Sequence, residues 1–251
     1  MKPKLSQPIL LLCLALLSLI HLPVQGQESS GTSLPPEAAA KAKSDAGIEK
    51  KAAEWVGDLK LEDAAREKRL IEVIGTHLKA VRDWHNDHPY TTVPAGINSV
   101  TGKPLSQLDR QMIADSTQPK STHQDLMAGL RRELAEEQVE IILDRYTVGK
   151  VAFTMKGYKA IVPDLTAEEE KTILGFLKQA REEAVDYKSM EQISAIFEIY
   201  KTKYEQYLNS NGRDWKKLYK AYTDAAKAKK AAEAAKPKEK LLQDAAKARL
   251  E

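Results

Sequence analysis

The sequence predicts an all-α protein, a helical bundle of about six to eight helices. Apolar residues recur at spacings of three and four over much of the chain, which is the period of one helix face. Residues that favour helix starts and stops bracket these stretches, and the connections between them are short. Short connections usually make antiparallel neighbours, and a lone helix cannot bury its own apolar face. We therefore expect the helices to pack against one another as a bundle.

The middle of the chain is predicted to hold three helices in succession, beginning at Thr122, Thr166 and Ser189. Glu169 and Gln192 follow the second and third of these starts by three residues, which is the spacing of a capping box. The first of the three helices is expected to bury a stripe formed by Leu126, Leu130, Leu134, Ile141 and Ile142.

The third of these helices carries an aromatic face. Phe197, Tyr200, Tyr204 and Tyr207 recur along it at helical spacing. Core packing, with the tyrosine hydroxyls at the rim, is the predicted role of this face. A platform for stacking a glycan is the alternative interpretation.

A long polar loop is predicted after the second long helix. That helix is expected over residues 61–85, with Gly75 inside it as a mark of a close helix crossing. His88-Pro89 ends the helix, and the composition of residues 90–104, rich in Thr, Pro and Gly, is typical of a loop. A polar segment of this length between two well-patterned helices is often where function lies.

The start of the chain has the layout of a secretory signal peptide over residues 1–26. Lys2 and Lys4 precede a strongly apolar run over residues 9–20, and small residues lead to a cut near Gly26. No second apolar run is long enough to span a membrane, so no membrane span is expected in the mature chain. These observations predict a secreted or periplasmic protein.

Three further segments are predicted in the mature chain: a polar, Ala/Lys-rich lead over 27–54, a helical domain over 55–212 and a basic helical tail over 213–251. The tail has 12 Lys and Arg against six Asp and Glu. Since the whole chain is only +3, the rest of the mature chain is mildly acidic, unlike a nucleic-acid-binding domain. The tail is interpreted as a soluble Ala/Lys-rich helix, with contact to an anionic glycan or the cell envelope as the alternative.

The strongest candidate for a binding site lies where the long helix meets the polar loop. Aromatic rings stack on the apolar faces of sugars, and Asn, Asp and His side chains bond their hydroxyl groups. The ligand-binding residues predicted on this basis are Trp84, His85, Asn86, His88 and Tyr90.

The same residues permit three other interpretations. His85 and His88 would share a metal with Asp83 or Asp87, with His77 and His123 from other turns or helices as further ligands. A histidine would also form an acid–base pair with a carboxylate, or the histidines would simply stabilise the free carbonyls of a helix end. The spacing lacks the His-Glu-x-x-His frame of zinc proteases, so no metal and no cofactor is predicted.

Signatures of several enzyme classes do not occur in the sequence. It has no Gly-x-Ser-x-Gly elbow, no phosphate-binding glycine-rich loop and no dinucleotide fingerprint. Carboxylates are plentiful, so a two-carboxylate glycosidase stays open, although most of the acids occupy capping or solvent-facing positions. No catalytic residue is identified.

A set of short motifs resembles a known family. The motifs are Leu130-Arg-Arg-Glu-Leu134, Gln138-Val-Glu-Ile141, Asp144-Arg-Tyr-Thr147, Tyr158, Leu165-Thr-Ala-Glu-Glu169 and Ala180-Arg-Glu-Glu-Ala184. Over residues 55–212 the chain resembles secreted proteins of Bacteroidota-type bacteria that carry a single domain of unknown function. The resemblance implies an exported, mostly helical domain, described in some cases as sugar-binding. It carries over no catalytic residue.

The leading hypothesis is therefore an exported, non-enzymatic accessory protein that binds carbohydrate or polysaccharide fragments. The enzyme alternative is a glycan-active lyase or hydrolase that uses His85 or His88 with an acid partner. The third hypothesis is a structural or envelope interaction protein that acts through its basic tail.

Overall fold

The computed structural model describes residues 35–99 and 101–247, with side chains described as far as residue 237. The predicted signal peptide and its cut near Gly26 lie outside these residues. The described part of the chain has nine α-helices and no strand, so the prediction of an all-α protein is confirmed. The helices are α1 (Pro36–Gly57), α2 (Ala64–Asp87), α3 (Gln107–Asp115), α4 (Lys120–Glu133), α5 (Glu136–Tyr146), α6 (Lys150–Ile161), α7 (Ala167–Ala184), α8 (Met190–Ser210) and α9 (Trp215–Lys247).

Helices α1 and α2 pack against each other as an antiparallel pair. Lys41 near the start of α1 pairs with Asp83 near the end of α2 at 2.9 Å. Glu49, farther along α1, pairs with Lys79, which is earlier in α2, at 2.6 Å. The crossed order of these pairs fixes the antiparallel direction, while Val56 and Leu70 are buried between the helices and the rest of the bundle.

The loop between α2 and α3 contains a 3₁₀ turn at Tyr90–Thr92. One isolated antiparallel bridge joins Ile97 to Pro104 within the described residues. Arg110 of α3 donates hydrogen bonds to the carbonyl oxygen of Val93, which attaches this loop to the helix that follows it.

Helix α4 crosses α2 at a glycine. A Cβ atom added at Gly129 would lie 2.7 and 2.8 Å from the two methyl groups of Val73, so the two backbones approach closely here. A Cβ atom at Gly75 would meet nothing within 4 Å outside its own helix. The expectation that Gly75 marks a close crossing is therefore wrong, because the crossing uses the glycine of the partner helix.

The single helix expected from Thr122 onward is two helices, because the chain is extended at Leu134 (φ −128°, ψ 147°). Leu134 stays buried at the break. The amide of Ala135 donates a hydrogen bond to the side chain of Gln138, and this contact caps the start of α5. The break rotates the second half of the expected stripe. As a result Ile142 is fully buried, whereas Ile141 is 45% exposed.

Helices α7 and α8 begin with the two capping boxes that the sequence predicts. Thr166 Oγ1 accepts from the Glu169 amide at 3.2 Å, and the Glu169 carboxylate accepts from the Thr166 amide at 2.8 Å. Ser189 and Gln192 make the same reciprocal pair at the start of α8. Each box satisfies two backbone N–H groups that a helix start leaves free.

The buried apolar residues form two clusters. The first combines α6, α7, α8 and the start of α9, and includes Phe197, Tyr200 and Tyr204, as the core-packing interpretation of the aromatic face predicts. The second combines α1, α2, α4 and α5, and it also takes in Val185 from the connection between α7 and α8. The bundle therefore has two apolar halves that meet around this connection.

Helix α9 starts on the body of the bundle. Trp215 is only 8% exposed and stacks on Tyr158, with ring centroids 5.0 Å apart. Just before it, Arg213 pairs with Glu169 at 2.8 Å and with Asp164 at 2.7 Å, which attaches the start of α9 to the start of α7. The helix continues through Pro237.

The α2–α4 crossing gives a test with a matched pair of glycines. Gly75→Ala should raise the free energy of unfolding by up to about 1 kcal/mol, because alanine favours helix and has space there. Gly129→Ala should lower it, since crowding of Val73 costs about 1–3 kcal/mol and exceeds the gain in helix propensity. Urea unfolding measures both changes.

The double variant Gly129→Ala/Val73→Ala is the control, because it removes the methyl groups that the new Cβ atom would meet. It should recover part of the loss relative to Val73→Ala alone. An equal gain in stability at both glycines would show that α2 and α4 do not approach closely at Gly129.

Candidate functional site

The predicted residues Trp84 and His88 hold the end of α2 against its surroundings. The Trp84 indole N–H donates to the carbonyl oxygen of Ala114 in α3 at 3.2 Å. The His88 ring stacks on the Trp84 ring, with centroids 3.8 Å apart and planes 15° from parallel. His88 Nδ1 also lies 2.9 Å from the Trp84 carbonyl oxygen. One face of the indole is thus already covered by a protein ring.

His85 belongs to a buried polar cluster around Asp115, the last residue of α3. His85 Nδ1 lies 2.7 Å from Asp115 Oδ2, and the Gln192 side chain donates to the same oxygen at 2.5 Å. Gln111 donates to Asp115 Oδ1 at 2.9 Å. Asp115 is only 3% exposed, so its carboxylate is satisfied by partners from α2, α3 and α8 rather than by solvent.

The two remaining predicted residues lie closer to solvent. Asn86 accepts a hydrogen bond from Lys188 at 2.7 Å. The guanidinium of Arg110 lies over the ring of Tyr90, 5.3 Å from its centroid. All five predicted residues therefore have partners within the protein, and binding of a sugar by them stays a prediction.

The four histidines beyond the predicted signal peptide separate into different surroundings. His77 Nε2 makes a 3.0 Å hydrogen bond to Asp186 Oδ1. His123 Nδ1 lies 2.9 Å from the other oxygen of the same carboxylate, Asp186 Oδ2. His77 and His123 thus converge on Asp186, whereas His85 pairs with Asp115.

Local structure explains why this carboxylate meets both imidazoles. Asp186 lies in the short connection between α7, which ends at Ala184, and the Ser189 cap of α8. The side chain of Gln118 donates to the backbone carbonyl oxygen of Asp186 at 2.9 Å and fixes this connection against the start of α4. His77 is on the buried face of α2 and His123 is in the first turn of α4.

The charges in this cluster favour an ion pair. Burial raises the pKa of Asp186, but the contacts with His123 and His77 outweigh it and leave that pKa below its usual value. Contact with Asp186 raises the pKa of His123 against the effect of desolvation, and Glu182 adds to the rise. An ionised carboxylate only accepts hydrogen bonds, so the N–H group that His77 donates to Asp186 is the one at Nε2.

The Asp186 cluster opens into a cleft of about 630 Å³ between α4, α7 and α8. His123 Nε2 lies 3.7 Å from Glu182 Oε1 in this cleft, and the Tyr200 hydroxyl donates to Glu183 at 2.9 Å. Burial raises the pKa of Tyr187 and of Tyr200 to about 12, so both phenols are neutral donors. The polar lining includes Gln118, Lys120, His123, Gln124, Gln179, Glu182, Glu183, Asp186, Tyr187 and Tyr200.

These groups give the cleft the chemistry of a site for hydroxyl-bearing ligands. Carboxylates accept hydrogen bonds, phenols donate and accept them, and carboxamides do both through separate atoms. A cleft of this volume lies within the usual range for small-molecule sites, which is about 300–1,000 Å³. Within the described residues, no group of three or more His, Cys, Asp or Glu side chains is arranged to hold a metal ion.

The Asp186 pair predicts a specific pH dependence of stability. The lowered pKa of Asp186 stabilises the fold above its usual pKa of about 3.9, and this contribution is lost as the pH falls. The raised pKa of His123 stabilises the fold below about 6.5, and this contribution is lost as the pH rises through the folded value. The destabilisation by His123→Gln should therefore be largest near pH 5 and smaller at about pH 8.

Urea unfolding of both proteins at each pH measures this difference. The exposed neighbour Gln124 gives the control, because Gln124→Ala removes no titrating group and its effect should not change with pH. A His123→Gln effect that is constant or grows from pH 5 to pH 8 would contradict the ion pair.

Comparison with known proteins places the chain in a family. No curated protein matches it at a significant level. In the described residues, no helix combines the length and the apolar character that crossing a membrane requires.

A model of a family described as "Protein of unknown function (DUF3826)" matches residues 45–228, which include α2 to α8, the Asp186 cluster and the cleft. The chain belongs to this family of unknown function.

Proposed function

We propose that this chain is an exported, non-enzymatic protein that binds a neutral carbohydrate, and that the cleft beside Asp186 is its binding site. The observation that carries the proposal is the convergence of carboxylates, carboxamides, an imidazole and two phenols on one cleft. Export rests on the signal-peptide pattern of residues 1–26, with cleavage near Gly26.

The donor and acceptor set of the cleft suits vicinal hydroxyl groups. Glu182 and the exposed carboxamides of Gln124 and Gln179 supply acceptors and donors at the open side. Tyr187 is partly exposed and adds ring surface, against which the apolar face of a sugar ring packs. Similar mixtures of a few directed polar groups with aromatic surface are typical of small-ligand sites.

The charge of the cleft favours a neutral sugar over an acidic one. Three carboxylates line it, those of Glu182, Glu183 and Asp186, against the cations of Lys120 and protonated His123. A uronic acid or a sulfated sugar would meet this acidic wall and lose affinity through repulsion between like charges. We therefore expect neutral oligosaccharides to bind and acidic ones to bind weakly.

The test is calorimetric titration with a panel of neutral and acidic oligosaccharides. Glu182→Ala/Gln179→Ala removes two polar groups from the open side of the cleft and should weaken binding by roughly tenfold or more, since each lost hydrogen bond costs about 0.5–1.5 kcal/mol. The fold should persist, because both side chains are at least partly exposed. Glu168→Ala, an exposed acid in the first turn of the same helix, is the matched control and should bind normally.

A second pair of residues, exposed Asn86 and half-buried Tyr90, separates this proposal from the sequence-predicted patch. Asn86→Ala/Tyr90→Ala should leave binding unchanged when the cleft is the site. Lost binding in this variant, together with normal binding by Glu182→Ala/Gln179→Ala, would overturn the cleft and support the patch of Trp84, His85, Asn86, His88 and Tyr90.

The enzyme alternative has one geometric observation in its favour, at His123 rather than at His85 or His88. His123 contacts Asp186 through one ring nitrogen and approaches Glu182 through the other, so an oriented imidazole faces a cleft. A glycan lyase or hydrolase with this site would release new chain ends from a bound oligosaccharide, and His123→Gln would stop the release. Binding without turnover separates the two functions.

The remaining alternative assigns the interaction to the basic tail over residues 213–251. Its first turns are attached to the bundle through Arg213 and Trp215, and Lys216 and Lys217 are exposed immediately afterwards. An envelope component would then be bound through lysines of α9, and the cleft variant Glu182→Ala/Gln179→Ala would still associate with the envelope.

A further inference from the structure

A second cavity of about 790 Å³ lies along α5, bordered by α1, α2, α8 and the α7–α8 connection. We call it the α5 groove. It differs from the cleft beside Asp186 in its lining, and Tyr187 is common to the two.

The wall of the α5 groove exposes large apolar side chains. Ile141 is 45% exposed, Val148 is 73% exposed and Met190 is 48% exposed, and all three line the groove. Trp55 lies beside them and packs on Tyr146, with ring centroids 4.9 Å apart. Apolar surface that lines one concavity is typical of a ligand site, whereas scattered exposed residues are ordinary.

The backbone at the edge of the groove is strained. Val148 has a φ angle of 54°, in the left-handed region that β-branched residues rarely adopt. The following residue, Gly149, takes the same region with φ 66° at no steric cost. Strained conformations of this kind cluster at binding and switch sites, because selection for function maintains them there.

Two cations of the groove have no carboxylate partner among the residues that the structure describes. Lys51 lies over the ring of Trp55, 5.7 Å from its centroid, and Lys188 donates to the neutral side chain of Asn86. The other charged residues of the lining are compensated, because Arg145 pairs with Asp58 and Asp144 pairs with Arg181. The groove therefore has an excess of two positive charges beside an apolar wall.

We propose that the α5 groove binds an aliphatic carboxylate. Its hydrocarbon chain lies on the apolar wall of Ile141, Val148 and Met190, and its carboxylate is attracted by Lys51 and Lys188. Because the groove is positively charged, it should bind this anion more tightly than a cationic or neutral chain of the same length.

Titration of the full chain with decanoate below its micelle concentration tests the proposal. Decanoate should bind saturably with one molecule per chain, and decyltrimethylammonium, which has the same chain and the opposite charge, should not bind. Lys51→Ala/Lys188→Ala should weaken decanoate binding about tenfold or more, as expected for losing charge-assisted contacts. Lys171→Ala/Lys216→Ala, which removes two exposed lysines elsewhere, is the matched control and should bind decanoate normally.

Two further variants connect the binding to the groove. Val148→Asp places a negative charge at the edge and should abolish decanoate binding, while circular dichroism confirms the helical fold. Glu182→Ala/Gln179→Ala, which alters the carbohydrate cleft, should retain decanoate binding, so failure of one site is distinguishable from failure of the other.

Equal binding of decanoate and decyltrimethylammonium would overturn the proposal, as would normal decanoate affinity in Lys51→Ala/Lys188→Ala. A second copy of the chain is the other possible occupant of the groove, and sedimentation tests for the dimer that it would form. A dimer that Val148→Asp dissociates and decanoate does not would identify the groove as a self-association surface and would also overturn the proposal.

Discussion

The carboxylate of Asp186 is the constraint on which much of this structure depends. It lies where the two apolar clusters meet, and it accepts a hydrogen bond from His77 of α2 while pairing with His123 of α4. A carboxylate that is largely shielded from solvent is stable only when its oxygens have partners. Removal of one partner from a buried ion pair costs about 3–5 kcal/mol, although partial exposure of His123 and Asp186 makes a smaller cost the expectation here. The position of the α7–α8 connection is thereby set, and with it one wall of the cleft.

Other polar links repeat this arrangement between the halves. Asp115 of α3 pairs with His85 of α2 and accepts from Gln192 of α8. Arg181 of α7 is only 2% exposed and pairs with Glu140 and Asp144 of α5, each at 2.7 Å. Apolar contacts alone tolerate sliding of one helix along another, whereas directed ion pairs specify one register. The bundle thus combines two apolar clusters with a set of polar links that fix how they meet, and the candidate cleft forms at one of these links.

Local sequence patterns predicted the parts of the fold that depend on interactions within a single helix. The capping boxes at Thr166 and Ser189 and the buried face of Phe197 and Tyr204 follow from spacings within one helix. The break at Leu134 could not be predicted from these spacings, because the apolar pattern continues across it while the backbone is extended there. The cleft was not predictable in this way, because Asp186 and His77 are 109 positions apart and no periodicity connects them. Histidines and carboxylates could be named from sequence, but only tertiary packing pairs His77 and His123 with Asp186 rather than with Asp83 or Asp87.

The most direct test of this account is the titration of the His123 imidazole by NMR, in the wild-type protein and in Asp186→Asn. The Asp186 ion pair should hold the pKa of His123 above its usual value of about 6.5 in the wild type, and this pKa should be lower in the variant, where the amide cannot stabilise the imidazolium. The same His123 pKa in both proteins would contradict the Asp186 ion pair and the placement of the cleft wall that depends on it.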